Sequence, residues 1–195
     1  MFDCEKCNDT GYIETEKGNM SYATPCICNM RRVKKLLFGE YFVDKTIENY
    51  EGRTPSMAEA KKIIIKDPFK SFFIYGNVGL GKTHLLAAIY ELYHVDCRYM
   101  KTKVVNETAL MQEINEKKYF DLSDRTTIII DDIGKVKMAA WEIQNLYDFY
   151  NDIYRREIVL VMSSNYSLPE IAEIYGGAIT RRIEERCEIL HIKGE

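Results

Sequence analysis

No apolar run in this chain is long enough to cross a membrane. Its first residues, Met1-Phe2-Asp3-Cys4-Glu5-Lys6-Cys7, lack the character of a secretory leader. Those two absences lead to the expectation of a cytoplasmic protein. An excess of one charge is lacking too: the net charge is −3 over 195 residues, with a pI near 5.8. That excludes a protein that coats nucleic acid with its whole surface. A local basic patch is still open, and Arg31-Arg32-Val33-Lys34-Lys35 is the densest, although such runs are usually solvated faces. Internal repeats and low-complexity tracts are also missing, which leaves one domain of ordinary size with room for a small appendage. Apolar residues make up 46% of the chain, with 14 Tyr and 8 Phe, and can fill a core.

Six cysteines in a cytoplasmic chain argue against a disulfide framework. Four form two pairs, Cys4-x2-Cys7 and Cys26-x-Cys28. Between them Asp9-Thr10-Gly11-Tyr12 ends a knuckle, and Gly18-Asn19 suits a hairpin tip. A segment of about thirty residues cannot bury enough apolar surface to fold unaided, and four thiolates around one zinc ion would substitute for a core. The C-x-C spacing is tighter than the usual C-x2-C of zinc sites. A redox pair at Cys4 and Cys7 is the alternative, without a thioredoxin-like βαβ pattern around it. Cys97 and Cys187 stand alone in apolar surroundings and read as small buried side chains.

The stretch with most chemical content is Gly76-Asn77-Val78-Gly79-Leu80-Gly81-Lys82-Thr83, a G-x-x-x-x-G-K-T phosphate-binding loop followed by His84. Phe72-Phe73-Ile74-Tyr75 leads in as a buried strand, and Leu85-Leu86-Ala87-Ala88-Ile89 leads out as a helix. Glycines let successive backbone N–H groups point at phosphate oxygens, and the helix N-terminus adds its positive end. Residues 76–84 are thus expected to hold ATP or ADP. Lys82, read as an exposed loop charge, would meet the outer phosphates, and Thr83 would ligate magnesium.

Further on, Ile128-Ile129-Ile130-Asp131-Asp132 has the pattern of a buried strand ending in acids, where parallel sheets bind ligands. Asp131 would hold the magnesium, and Asp132 would orient and activate the attacking water. Asn165, in Ser163-Ser164-Asn165 after the next buried strand, either reaches the γ-phosphate or caps the following helix. Arg181, Arg182 and Arg186 share one helix with Glu184 and Glu185. They read either as a salt-bridged surface or as an arginine finger for a neighbouring subunit.

The remaining pattern alternates strands and helices. A basic helix and connector is expected over 29–48, and a helix capped by Ser56 runs to Ile65 before Pro68. Strands are expected at Cys97–Met100, Thr126–Ile130, Ile158–Met162 and Ile189–Ile192. Helices are expected over Asn106–Tyr119, Trp141–Tyr154, Ser167–Tyr175 (with a Ser167/Glu170 capping box) and Ala178–Cys187. With the strand before the phosphate loop this predicts an α/β P-loop NTPase, a five-stranded parallel sheet between helices. The expected units are a zinc-binding segment, 1–30, a basic helix and linker, 31–55, and an ATPase core, 56–195.

In that order, the P-loop, Asp131-Asp132-Ile133-Gly134, Ser163-Ser164-Asn165 and Arg182-x3-Arg186 before a last strand resemble an AAA+ ATPase of the DnaC/DnaI helicase-loader family. Asp44-Lys45-Thr46-Ile47-Glu48-Asn49-Tyr50 is similar to the lead-in to that core, and the cysteine-rich start is similar to phage and Gram-positive relatives. The resemblance implies a slow, partner-stimulated hydrolysis of ATP to ADP and phosphate in an ATP-dependent homo-oligomer, acting in DNA replication. It makes Asn165 sensor 1 and Arg186 a finger acting in trans, with Arg182 as companion. It places single-stranded DNA near Lys103–Tyr119 and a replicative ring helicase against the N-terminal region, with no membrane partner. The sequence departs from the pattern in having Asp132 where AAA+ proteins commonly have glutamate, and a helical lid with its sensor 2 arginine is not expected. Two other readings fit: an IstB-like transposition helper, and a zinc-containing nucleotide switch with negligible turnover.

Overall fold

The protein is described here from a computed structural model, over residues 4–17, 20–96, 101–116 and 126–194. Its first unit is an antiparallel hairpin of β1 (Tyr12–Lys17) and β2 (Met20–Pro25), running directly into α1 (Ile27–Phe38). The expected hairpin tip, Gly18-Asn19, lies outside the described residues. The helix begins two residues earlier than the cysteine pattern suggests. Cys26 is its N-cap and Cys28 its second residue, so one turn of helix brings both sulfurs to the same end. This accounts for the tight C-x-C spacing.

The basic run lies on α1 and is spent within the chain. Lys34 is fully buried and donates to the Lys45 carbonyl at 2.6 Å and to Glu91 at 2.8 Å. Arg31 pairs with Asp44 at 2.7 Å, and Lys35 pairs with Glu40. The run is therefore only in part a solvated face: Arg32 and Lys35 are exposed, while Lys34 is buried within the chain. Met30, with Val33 and Phe38, packs against the main core, so α1 joins the hairpin unit to the rest.

After a short 3-10 turn, Glu40–Phe42, α2 spans Pro55–Lys66. Its cap is Thr54, not Ser56: the Thr54 hydroxyl accepts from the Met57 N–H. Pro55 at the first helical position needs no donor there, which sets the start one residue before Ser56. The Ser56 hydroxyl instead accepts from the Lys193 N–H at 2.9 Å, tying α2 to the residues beyond the last strand.

The main sheet comprises β3 (Phe72–Gly76), β4 (Lys101–Asn106), β5 (Thr126–Ile133), β6 (Val159–Ser164) and β7 (Glu188–Ile192), all parallel, in the order β4-β5-β6-β3-β7. Around it stand α3 (Lys82–Asp96), α4 (Glu107–Asn115), α5 (Ala140–Arg155), α6 (Leu168–Tyr175) and α7 (Gly177–Arg186). No helix follows β7 among the described residues. Nor is any helix among them long and apolar enough to cross a membrane.

Strand alternation divides the core in two. Phe72, Ile74, Ile129, Val161, Leu190 and Ile192 face α2 and α3, while Phe73, Ile128, Ile130, Leu160 and Met162 face α4–α7. Both faces are covered, so the strands read as continuous apolar runs. The expected strand at Cys97–Met100 lies outside the described residues; β4 begins at Lys101. The helix expected from Asn106 to Tyr119 is the shorter α4, capped by the Asn106 side chain on the Ala109 N–H at 2.9 Å, and residues 117–119 again lie outside. The Ser167/Glu170 box forms as expected, with Glu170 accepting from the Ser167 N–H at 2.7 Å.

Candidate functional site

Strand order decides what meets at the C-terminal edge of the sheet. β6 lies between β3 and β5, so the residues after β6 stand between the phosphate loop and the paired acids. A cleft of about 490 Å³ opens there. Val78 through His84, Asp132, Lys135 and Asn165 line one side, and residues between Tyr41 and Met57 contribute the remaining wall.

The loop's geometry requires its glycines. A Cβ on Gly76 would lie 2.0 Å from the Ile192 carbonyl oxygen, so the loop begins where only glycine fits beside β7. Gly81 has φ +79°, and a Cβ there would meet the Tyr50 ring at 3.0 Å. Lys82 and Thr83 open α3, as the motif requires. Lys82 differs from expectation in being buried, with 6% of its surface exposed. Its ammonium donates to the carbonyls of Gly76 at 2.7 Å and Asn77 at 2.8 Å, folding the side chain back along its own loop. Burial lowers its pKa, and Asp132 and Asp131 oppose that shift. His84 reaches away from the loop, with Nε2 at 2.9 Å from the Thr46 carbonyl and its ring edge-on to Tyr50.

The acids do not simply end their strand. β5 continues to Ile133, with an irregularity between Ile130 and Ile133, and Asp132 has φ +62°. This sends the two carboxylates to different neighbours. Asp131 turns inward and accepts from Thr83 Oγ1 at 3.1 Å and from the Ser163 hydroxyl. Burial pushes its pKa up, Asp132 adds to that, and the two hydroxyl donors pull it back. A part-buried carboxylate with hydroxyl donors and no cationic hydrogen-bond partner among the described residues, next to the P-loop threonine, fits a magnesium ion, which Thr83 and Asp131 would hold. Asp132 turns to the cleft and pairs with Lys135 Nζ at 2.7 Å. Ser163 links both acids, because its hydroxyl oxygen also accepts from the Asp132 N–H at 2.9 Å.

Sequence reasoning missed several of these groups. Ser163 was visible only as part of Ser163-Ser164-Asn165. Lys135 follows the acid motif closely but carries no pattern of its own. Glu107, 3% exposed, accepts from the backbone N–H groups of Gly134 at 2.9 Å, Lys135 at 2.8 Å and Val136 at 2.8 Å. The Tyr175 hydroxyl also donates to it. That carboxylate fixes the loop after the acids, and in sequence it looks like any acid in a helix's first turn. The Tyr41–Arg53 wall had its lead-in motif as a signal, but no role for single residues.

Arg186 lies outside this cleft of its own chain. The three arginines separate cleanly. Arg181 and Arg182 both pair with Glu185, at 2.9 and 3.0 Å, and Arg182 also donates to Asn151 and stacks over Tyr154. Arg186 makes none of these pairs, and its Nε is buried without a hydrogen-bond partner.

The cysteine cluster is complete. The sulfurs of Cys4, Cys7, Cys26 and Cys28 all lie within 4.8 Å of one another. Cys4 and Cys26 approach to 3.7 Å, and Cys7 and Cys28 to 3.4 Å. A tetrahedron with Zn–S of about 2.3 Å has S···S of about 3.8 Å, so the set fits zinc. The nearest sulfurs join the two pairs across the hairpin, which suits a shared ion better than a Cys4/Cys7 redox couple. Cys187 is buried, as expected, while Cys97 lies outside the described residues. We expect elemental analysis to find about one zinc per chain. Cys26→Ser should lose it and unfold the hairpin, seen as new protease cleavage before residue 30. Nucleotide affinity should survive, since no cysteine lines the cleft. Metal-free wild-type protein with a protected hairpin would contradict this.

Compared with known proteins, residues 42–186 match the family model described as the bacterial DnaA ATPase domain. The phage-like element PBSX protein XkdC of Bacillus subtilis is 26% identical over 228 residues, spanning 99% of this chain and 83% of XkdC. Among solved structures, the DnaC helicase loader matches with TM-score 0.66 at 19% identity, over 79% of this chain and 99% of that one. Replication initiator DnaA bound to AMPPCP and single-stranded DNA matches with TM-score 0.62 at 17% identity, over 77% of this chain and 50% of that one. The chain thus spans half of that DnaA. The fold of the core is shared with the DnaC helicase loader, and this chain belongs to the bacterial DnaA ATPase-domain family.

Proposed function

We propose that this chain is an ATP-dependent helicase loader acting in DNA replication. One observation carries the reading: the P-loop, Thr83–Asp131 and Asn165 converge on one cleft beside Asp132. ATP lies along residues 76–84, with backbone N–H groups and the Lys82 ammonium on its phosphates. Bound magnesium, held by Thr83 and Asp131, would neutralise phosphate charge. Asp132 orients the attacking water and takes its proton, and Asn165 reaches the terminal phosphate or that water. Arg186 serves a neighbouring subunit's nucleotide in an ATP-dependent homo-oligomer. Single-stranded DNA runs near Lys103–Tyr119, and a replicative ring helicase meets the N-terminal region around the zinc hairpin. The choice of a loader is supported by the DnaC-like fold over most of the chain and by the match to XkdC along nearly all of it.

The test is co-purification of the tagged chain from its own cell with ATP or ADP, followed by ATP turnover with the captured partner and single-stranded DNA. A ring helicase captured with ATP, and turnover raised by it, is the expected result. Capture of a transposase would replace the loader with the IstB-like reading. ATP binding without turnover in the presence of helicase and DNA would make the protein a nucleotide switch.

A further inference from the structure

We propose that Lys135 is a ligand of the nucleotide's terminal phosphate, supplied by the same chain, which exchanges its ion pair with Asp132 for that phosphate. The proposal rests on the nucleotide reading of the cleft and adds to it a residue that neither motif contains.

Lys135 lines the cleft together with Lys82, Thr83, Asp132 and Asn165. Four lysines or arginines line the cleft. Lys45 sits over the Tyr41 ring at 4.4 Å, and Arg53 is paired with Glu51 at 2.6 Å, both on the 41–53 wall. Lys82 and Lys135 are the two beside the acids. Their charges sense each other: Asp132, Asp131 and Lys135 all act on the Lys82 ammonium.

The backbone of Lys135 is fixed by several partners, while its side chain is held by one ion pair. Glu107 accepts from the Lys135 N–H at 2.8 Å and from both flanking N–H groups, and the Tyr175 hydroxyl meets Gly134 N at 3.1 Å. A buried carboxylate with three N–H donors is a rigid anchor. The ammonium, by contrast, sits on a half-exposed side chain and is held by one exposed carboxylate three residues away. Such pairs contribute little to stability, so this one is easily exchanged. A terminal phosphate brings more negative charge and more acceptor oxygens than Asp132 offers, and it outcompetes the carboxylate. The exchange also frees Asp132 from its ion pair at the moment a γ-phosphate is present, coupling recognition of ATP to release of the group that orients water. ADP, ending at the β-phosphate, does not drive the exchange.

The experiment is calorimetric titration of the full chain with AMPPCP and with ADP, each with magnesium. Lys135→Ala should weaken AMPPCP about 10- to 100-fold, the range for one charged hydrogen bond, with ADP within about twofold. Lys135→Arg should restore most of the AMPPCP affinity. The same substitution is repeated in an Asp132→Asn background, which removes repulsion from an unpaired Asp132 as the cause. Persistence of the AMPPCP-specific loss there supports direct contact. An unchanged ratio of AMPPCP to ADP affinity, an equal loss of both, or a loss that disappears in the Asp132→Asn background would each overturn the proposal. Wild-type protein that binds neither nucleotide would instead overturn the nucleotide reading itself.

Discussion

Lys82→Ala is expected to weaken ATP binding by about 10²-fold or more, because the ammonium makes charge-assisted bonds to phosphate that no other loop side chain can replace. The substitution has a second effect. Lys82 is buried and its ammonium satisfies the carbonyls of Gly76 and Asn77. Alanine leaves the buried Gly76 carbonyl without that donor, at a cost of about 1–3 kcal/mol in stability. The measurement therefore needs two variants and two readouts. Lys82→Met keeps the aliphatic length and lowers the volume lost, while Lys82→Ala removes both. If both variants lose ATP in calorimetry and both retain a cooperative thermal transition, the loss belongs to phosphate recognition. A Lys82→Met protein that binds ATP like the wild type would overturn the P-loop assignment.

The largest expected effect belongs to Arg186. A finger that neutralises transition-state charge contributes about 10³–10⁵ in rate, so Arg186→Ala should remove partner- or DNA-stimulated turnover and leave ATP affinity nearly unchanged. The structure supplies two reasons for choosing this arginine. Arg181 and Arg182 are occupied by Glu185, and Arg182 also by Asn151 and Tyr154. Arg186 has no such partners, and its buried Nε has an unused donor. Arg186 also lies away from its own cleft, as a residue serving another subunit's nucleotide must. Mixing Arg186→Ala with Lys82→Ala subunits tests this directly. One has an intact nucleotide site and the other an intact finger, so mixed assemblies should recover part of the wild-type rate. Recovery of none, under conditions where wild-type assemblies turn over, would return Arg186 to a structural role on α7.

Much of the site could be read from residues alone, for a physical reason. The phosphate loop is local chemistry: glycines at set spacing, a lysine and a threonine at a helix start act through backbone geometry within about eight residues. Four of the five strands could be read, and the most buried of them for a similar reason. Strands covered on both faces need unbroken apolar runs, and Ile128-Ile129-Ile130 and Val159-Leu160-Val161-Met162 provide them. The four cysteines carried their meaning in composition, since a short segment without a core needs a substitute. Local signals failed where the answer was decided at a distance. Ser56 looked like a cap until Pro55 and Thr54 took the turn, leaving its hydroxyl to Lys193. Within the basic run, Lys34 looked as solvent-facing as Arg32 and Lys35 until α1 packed on α3 and it met Glu91, 57 residues away.

By itself, the sequence determined which chemical groups are available: a P-loop pattern, paired acids after a buried strand, four cysteines in two close pairs and an α/β core to carry them. Only the tertiary structure decided how these meet. Placing β6 between β3 and β5 puts Ser163 against both acids and Asn165 in the cleft, and strand order depends on closure of long loops rather than on any local pattern. The backbone bend at Asp132 sends one carboxylate to Thr83 and the other to Lys135, although the two residues are adjacent and chemically identical. Glu107 became an anchor because folding brought three N–H groups from residues 134–136 to it and excluded water from the contact. A carboxylate's role depends on which donors surround it and how deeply it is buried, and both are properties of the folded chain.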